Sequence, residues 1–158
     1  MKLLKIVGIT TLGLIALSWK KINDYSKVIE SMQIYLRNFN LKSVKATWTK
    51  DQLFISFQLD VVFFNPTDID FSFDTAGLIE VKKIELLYKG SKIGEANSTV
   101  SAIYLPPKTA YALEAVPFTV AVNNAIAAWA EKGIDTNLAN YSIVVHVYAV
   151  GKTFIVEQ

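Results

Sequence analysis

The sequence predicts a mainly-β fold: an antiparallel β-sandwich with one short helix, preceded by a long N-terminal helix. Residues 41–158 alternate apolar and polar side chains and are rich in β-branched and aromatic types, which is typical of strands. Turn signals divide that stretch into about seven or eight short segments, as in a sandwich. Residues 1–40 instead hold an uncharged apolar run and then apolar residues at helical spacing. We therefore predict an anchor and amphipathic extension at 1–40 and a β-sandwich domain at 41–158.

The charge is unevenly distributed along the 158 residues. The net charge is +2, but residues 1–21 contain four lysines and no acid, which leaves 12 basic and 14 acidic side chains in the remainder. A near-neutral body disfavours nucleic acid as a partner, because its binders carry a basic face. The chain has no cysteine, which excludes disulfides and thiolate metal sites.

The N-terminal segment is predicted to be a single-pass membrane anchor. Ile6 to Trp19 contains no charged residue. As a helix this run would span about 21 Å, and lysines that snorkel toward water would extend its reach across a hydrocarbon core of roughly 30 Å. We expect the following residues to contact lipid: Leu3, Leu4, Ile6, Val7, Ile9, Leu12, Leu14, Ile15, Leu17 and Trp19. The expected membrane-interface residues are Lys2, Lys5, Lys20 and Lys21.

Two other interpretations of this segment stay open. A cleaved signal peptide fits the short apolar run, with Ala16-Leu17-Ser18 as a cleavage site, although Lys20 and Lys21 disfavour export of the residues after that site. A buried core helix is the second, since short apolar runs often have that role. The lysines on the two sides nearly balance, so the side of the membrane that carries the domain is also open.

An apolar seam follows the anchor at spacings of three and four residues, which predicts a helix running to about Arg37. Its members are Ile22, Tyr25, Ile29, Met32, Leu36 and Phe39. Such a seam packs either on the domain itself or on a partner, including a second copy of the chain. Fewer than three heptads is little for a coiled coil.

Period-two patterning predicts the strands of the body at 41–48, 53–64, 69–73, 81–88, 93–105, 111–122, 141–150 and 153–156. Pro117 lies inside one of them, which predicts an edge or a bulge there. Asn123 and Asn124 are good caps for an alanine-rich helix over 125–132, and Gly133 is a plausible stop.

The ordered turn motifs resemble those of the water-stress-and-hypersensitive-response domain, found in group 2 late-embryogenesis-abundant proteins. Phe63-Phe64-Asn65-Pro66-Thr67 matches its apolar strand followed by Asn-Pro. Leu87-Tyr88-Lys89-Gly90 stands where the family has an apolar-Tyr-x-Gly hairpin. The resemblance covers about residues 41–158 and implies an immunoglobulin-like or fibronectin-like antiparallel sandwich without catalytic residues. The matching residues Asn65, Pro66, Tyr88 and Gly90 would be structural.

Chemistry-bearing motifs are scarce, which predicts a protein that is not an enzyme. His146 is the sole histidine, so a zinc or copper site is not expected. Asp68, Asp70 and Asp74 crowd around the Asn-Pro turn, but their spacing differs from that of a calcium loop. No nucleophile elbow or phosphate-binding loop occurs. We expect no cofactor, no metal and no small-molecule substrate.

These observations favour a structural or interaction protein whose β-sandwich is presented at a membrane surface. Its partners would be the lipid bilayer and other proteins of a membrane-associated assembly, in a cell envelope or in the membrane of a lipid-containing virion. The alternative is a stress-protective envelope protein of the late-embryogenesis-abundant type. A secreted small-ligand-binding domain is a third interpretation, for which the sequence offers no pocket signature.

Overall fold

The computed structural model describes residues 5–9, 19–74, 79–100, 102–123, 125–149 and 151–158. Within them the helices are α1 (Trp19–Ser31) and α2 (Trp129–Lys132), and a 3-10 turn spans Leu138–Asn140. The strands are β1 (Lys5–Ile9), β2 (Gln33–Thr49), β3 (Gln52–Phe64), β4 (Phe73–Asp74), β5 (Ile79–Tyr88), β6 (Ser91–Val100), β7 (Ala102–Ile103), β8 (Ala110–Ala121), β9 (Tyr141–Ala149) and β10 (Lys152–Glu157).

Eight of these strands form one continuous antiparallel sheet in the order β1-β10-β9-β5-β6-β8-β3-β2. β6 and β8 are joined by only two residue pairs, Gly94 with Val120 and Glu95 with Thr119. Four strands lie between β9 and β2 in that order, yet β2 contacts β9, and the Phe39 ring lies 6.2 Å from that of Tyr141. The sheet therefore folds back on itself, and both halves contribute to one apolar core. The prediction of a mainly-β antiparallel body is confirmed.

The alternation along β3 and β9 explains why these segments are strands. In β9 every second residue from Tyr141 to Ala149 is buried, as expected for a strand with one face on the core. Phe57, Leu59, Val61 and Phe63 of β3 are at most 1% exposed. The predicted strands at 53–64, 81–88, 111–122, 141–150 and 153–156 agree with the observed ones to within a few residues.

The β5–β6 hairpin turns at Lys89-Gly90, as the sequence predicts. Both residues have positive φ, 49° and 81°, which is the backbone of the two-residue turn that matches the twist of a hairpin. Gly133 ends α2 at φ 81°, so the predicted helix stop is confirmed. The helix itself is shorter than predicted, because residues 125–128 form turns and α2 begins at Trp129.

The prediction of one helix reaching Arg37 is wrong. α1 ends at Ser31 and β2 begins at Gln33, so the predicted domain boundary at residue 40 falls inside a strand. The spacing was misleading because β2 has a bulge between Arg37 and Asn40. An extra residue in a strand turns a spacing of two into one of three, and Leu36 and Phe39 imitate a helical step.

Five of the six predicted seam residues pack within the protein. Ile29 and Met32 are buried, and the Tyr25 ring meets that of Phe71 edge-on at 5.2 Å. Leu36 and Phe39 are half-buried against the core, with Phe39 stacked on Phe57 at 4.9 Å. Of the two roles considered for the seam, the contacts of these five residues correspond to packing on the domain.

The predicted N-terminal anchor helix is not supported over residues 5–9, which form β1 and pair with β10. The other anchor and interface residues before Trp19, which include Lys2, Leu12 and Leu17, lie outside the described residues. Trp19, Lys20, Lys21 and Ile22 belong to α1. Among the helices that the structure describes, neither combines the length and the apolar character needed to cross a bilayer.

The strand predicted at 69–73 is also largely wrong. Residues 67–69 are bends, and only Phe73–Asp74 pairs, with Ala102–Ile103. The reason is local, because the Oδ1 of Asp70 accepts the backbone N–H of Ser72 at 2.8 Å. Such aspartate turns compete with ladder pairing.

Candidate functional site

Asn65, the first residue of the family-like turn, is a buried structural polar group. Its side chain is 0% exposed, and its Nδ2 donates to the carbonyl oxygens of Ile69 at 2.7 Å and Leu105 at 3.2 Å. Its Oδ1 accepts from the N–H and the hydroxyl of Thr67. The amide thus ties the end of β3 to the loop before β8.

Asp60 is the most buried charged residue described, at 8% exposure in the middle of β3. Both neighbouring strands bulge beside it, and each places a non-glycine residue at positive φ: Asn38 at 55° and Ala115 at 53°. Asp60 Oδ1 accepts the N–H of Ala115 at 2.9 Å, and Oδ2 accepts from Asn38 Nδ2 at 2.7 Å. Arg37 Nη2 lies 3.6 Å from Oδ2.

Those contacts keep Asp60 ionised. Burial alone raises the pKa of its carboxyl, but the hydrogen bonds from Ala115 and Asn38 and the charge of Arg37 outweigh burial and hold the pKa below its usual range. The carboxylate oxygens are occupied by the two bulges. Strained backbone of this kind often marks a functional site, and here the contacts of Asp60 with Asn38 and Ala115 also shape the strands.

An open groove of about 520 Å³ passes over this region on the outer side of β2, β3 and β8. It is lined by Asn38, Phe39, Asn40, Gln58, Asp60, Glu114 and Ala115. The lining offers amides and two carboxylates but no nucleophile paired with a base. Asn40 Nδ2 donates to Gln58 Oε1 at 3.4 Å, so these amides are also engaged with each other.

Aromatic residues close the end of the body where β5 meets β6. The Trp129 ring lies 5.3 Å from that of Tyr88 and 6.1 Å from that of Tyr141. Asp135 binds this group from outside: its Oδ2 accepts from the Tyr88 hydroxyl at 2.8 Å and from Asn140 Nδ2 at 2.6 Å, and its backbone oxygen accepts from the Tyr141 hydroxyl.

The ionisable groups at this end, Asp135 and Tyr141, have pKa values shifted by their contacts with the surrounding protein. The backbone N–H of Asn137, the Tyr88 hydroxyl and Asn140 hold the pKa of Asp135 below its usual range. Burial, with the nearby charge of Asp135, raises the pKa of Tyr141. A tyrosine with a raised pKa stays protonated and donates, so it is a hydrogen-bond anchor for the 133–140 loop. Tyr88 is thus one of the hydrogen-bond donors that hold this loop.

A ladder of charges crosses β5 and β6 on the outer face. Lys83 Nζ lies 2.8 Å from Glu85 and 3.0 Å from Glu95, and Lys92 Nζ lies 2.7 Å and 3.0 Å from the same two residues. The two lysines lower the pKa of Glu85 to about 2. His146 Nε2 lies 3.7 Å from Glu85, so the only histidine of the sequence faces this ladder. The ladder is internally neutral.

Two of the acids around the Asn-Pro turn, Asp68 and Asp70, have separate partners. Asp68 pairs with Lys108 at 3.4 Å, while Asp70 caps its own turn. Within the described part of the chain, no group of three or more histidine, aspartate or glutamate residues is placed to hold a metal ion.

The polar feature that faces solvent is the edge strand β2 with the turn after it, and sequence reasoning missed it. Residues 33–50 contain Arg37, Lys42, Lys45 and Lys50 and no acid. Of the four exposed large hydrophobic side chains described, three lie on β2: Tyr35 at 38%, Leu41 at 62% and Trp48 at 76%. We call residues 33–50 the basic edge. Its signal was an acid-free stretch within a net-acidic body.

The fourth exposed side chain, Tyr104, lies in the loop before β8 and is 72% exposed. Phe63 and Phe71, by contrast, are buried.

No protein-family model matches the chain, and no curated protein matches it at a significant level.

Proposed function

We propose that this protein is a non-catalytic structural or interaction protein that an N-terminal apolar segment holds at a membrane. The observation that carries the proposal is the uncharged run from Ile6 to Trp19 with lysines on both sides. Basic flanks around an apolar run are characteristic of membrane segments. The body would be an immunoglobulin-like or fibronectin-like sandwich, as the resemblance implies.

The hydrogen bonding of the described polar side chains supports a role without catalysis. The side chains of Asp60, Asn65 and Asp135 bond to other groups of the protein. Catalytic groups are instead found with perturbed pKa values and free access to a cleft. Here the shifted carboxylates are paired and hold strands and loops in place.

Anchoring has a structural cost at the far edge of the sheet. In the structure, residues 5–9 pair with β10. The anchored form exchanges that pairing for lipid, and β10 becomes an edge strand. A transmembrane helix satisfies its own backbone groups within the bilayer, so the segment itself loses no hydrogen bonds in the exchange.

Carbonate extraction of the full-length chain from membranes, with protease protection, tests the proposal. Wild type is expected in the membrane pellet. Leu14→Lys with Ile15→Lys should move it to the supernatant, because each charge near the middle of a span costs about 3 kcal/mol. Ser91→Lys, at the exposed first residue of β6, is the control and should stay in the pellet. Release of wild type, or a mature chain that starts after Ser18, would overturn the proposal.

A further inference from the structure

We propose that the basic edge, residues 33–50, lies on an anionic lipid headgroup surface, with Leu41 and Trp48 entering the interface. This inference deepens the proposed function, because it states which side of the body faces the membrane. It rests on exposure, charge and chain continuity along β2.

The first observation is the concentration of exposed apolar side chains. Leu41 and Trp48 are 62% and 76% exposed, although burying a side chain of that size is worth about 1.5–3 kcal/mol. Both lie on a strand at the end of the sheet order. Isolated exposed hydrophobics are common on soluble proteins, but here they share one strand with the basic residues.

The second observation is charge complementarity. The basic edge carries four positive side chains and no acid, whereas residues 22–158 as a whole carry two more acidic than basic side chains. Lys42, Lys45 and Lys50 are all exposed, whereas Arg37 is paired with Asp60 at 3.6 Å, so among the described residues the three lysines carry the unpaired charge of this edge. Such a body presents the basic edge toward an anionic surface and its remaining surface away from it.

The residue types favour lipid over a protein partner. Lysine is depleted at protein–protein interfaces, where arginine is enriched, and three of the four cations here are lysines. Tryptophan and lysine together suit the membrane interface, since the indole sits among headgroups and the long lysine stem keeps its ammonium at the phosphates.

Chain continuity leads from the proposed membrane segment through α1 into this edge. α1 ends at Ser31 and leads through Met32 into β2. The edge strand is therefore the first part of the sheet that the chain enters after the proposed membrane segment. The charge ladder on β5 and β6 belongs to the other half of the sheet, away from β2 in the strand order.

The experiment uses the full-length chain, which has no native cysteine, so one introduced thiol takes one environment-sensitive fluorophore. Thr47→Cys reports on the basic edge, and Ser91→Cys, at the exposed first residue of β6, is the matched control. Both are mixed with vesicles of phosphatidylcholine alone and with vesicles that also contain one quarter phosphatidylglycerol. We expect a blue shift at position 47 with the anionic vesicles and none at position 91.

Charge reversal supplies the second arm. Lys42→Glu with Lys45→Glu and Lys50→Glu should weaken partitioning to anionic vesicles at least about tenfold, because each lysine near an anionic surface contributes about 1 kcal/mol. The matched control reverses Lys89, Lys108 and Lys132, which are exposed elsewhere, and should change it much less. Unchanged far-UV circular dichroism and melting temperature show that each variant is folded.

The outcomes separate the two proposals. An unshifted label at position 47 on vesicle-bound protein overturns the basic edge contact and leaves the anchor standing. Salt-sensitive binding to anionic vesicles alone, lost in the Lys42, Lys45 and Lys50 variant, supports the contact and overturns the anchor. Equal shifts at positions 47 and 91 also overturn the contact.

Discussion

At the scale of single residues, Asp60 shows how one carboxylate fixes two strands. It accepts from the N–H of Ala115 and from the side chain of Asn38, and both of those residues have left-handed backbone conformations. A non-glycine residue in that region costs about 1–2 kcal/mol. The hydrogen bonds to Asp60 offset that cost, so the two bulges depend on the side chain between them.

Asp60→Ala should therefore lower the free energy of unfolding by about 1–3 kcal/mol, because it leaves the Ala115 N–H and the Asn38 amide without their acceptor. Urea denaturation followed by circular dichroism measures the change. Asp51→Ala, at the exposed turn after β2, is the control and should shift the midpoint little. Equal effects of the two substitutions would contradict the role given to Asp60.

Residue-level features were unevenly predictable from the sequence. The turn at Lys89-Gly90 and the stop at Gly133 follow from the tolerance of glycine for positive φ, and both were predicted. The structural role of Asp60 could not be predicted. The residue occupies a polar position of an alternating strand, and only the folded sheet brings Arg37, Asn38 and Ala115 to it. Contacts between distant residues leave no local pattern.

At the scale of elements, the join between β6 and β8 is the narrowest part of the sheet. A Cβ on Gly94 would lie 2.5 Å from the backbone oxygen of Thr119 and 3.1 Å from the Cα of Val120. These are backbone atoms, which cannot rotate away as a side chain can. The two strands approach closely because residue 94 is glycine.

Gly94→Ala should destabilise the protein by about 1–3 kcal/mol, the usual cost of overpacking, and should loosen the β6–β8 pairing. Thermal unfolding measures the first effect, and amide hydrogen exchange at Glu95 and Thr119 measures the second. Gly90→Ala is the comparison: nothing lies within 4 Å of its Cβ position, so its cost is limited to backbone strain at positive φ and its effect on exchange at 95 and 119 should be small.

The elements also show where pattern reading succeeds and fails. β3 and β9 were predicted because unbroken alternation has one interpretation. β2 was misjudged over its first half, because the bulge at Asn38 changes the period from two to three. Pro117 was predicted to mark an edge or a bulge; it lies in β8 opposite Gln58, close to the irregularity between Leu59 and Val61. The described β6 pairs with β8 only at 119 and 120, so β6 requires no N–H from residue 117.

At the scale of the whole molecule, carboxylates with lowered pKa values make the fold sensitive to acid. The lysine contacts lower the pKa of Glu85 from 4.5 to about 2 and hold that of Glu95 below its usual range, and the pKa values of Asp60 and Asp135 are also lowered. A carboxyl whose folded pKa is depressed stabilises the fold above its ordinary pKa and loses that contribution as the pH falls toward the folded value.

We therefore expect the free energy of unfolding to fall as the pH drops from about 4.5 to about 2, with these groups adding little slope above pH 5. Urea titrations at a series of pH values measure the slope. Glu85→Gln should flatten the curve in that window and cost about 1 kcal/mol or less at pH 7, since its partners are partly exposed. Glu131→Gln, on the exposed side of α2, should leave the slope as in wild type, and an equal flattening would contradict the assignment.

The strand order of the sheet determines which strand pairs can form first during synthesis. β2 with β3 and β5 with β6 close locally through tight turns, whereas β5 also pairs with β9, where Tyr88 meets Tyr141. Pairings between distant segments form slowly, because the chain loses the entropy of loop closure before any stabilising contact forms. During synthesis the β5–β6 hairpin is complete long before β9 leaves the ribosome, and its open side is then a site where a chaperone, or a second nascent copy, competes with the correct strand.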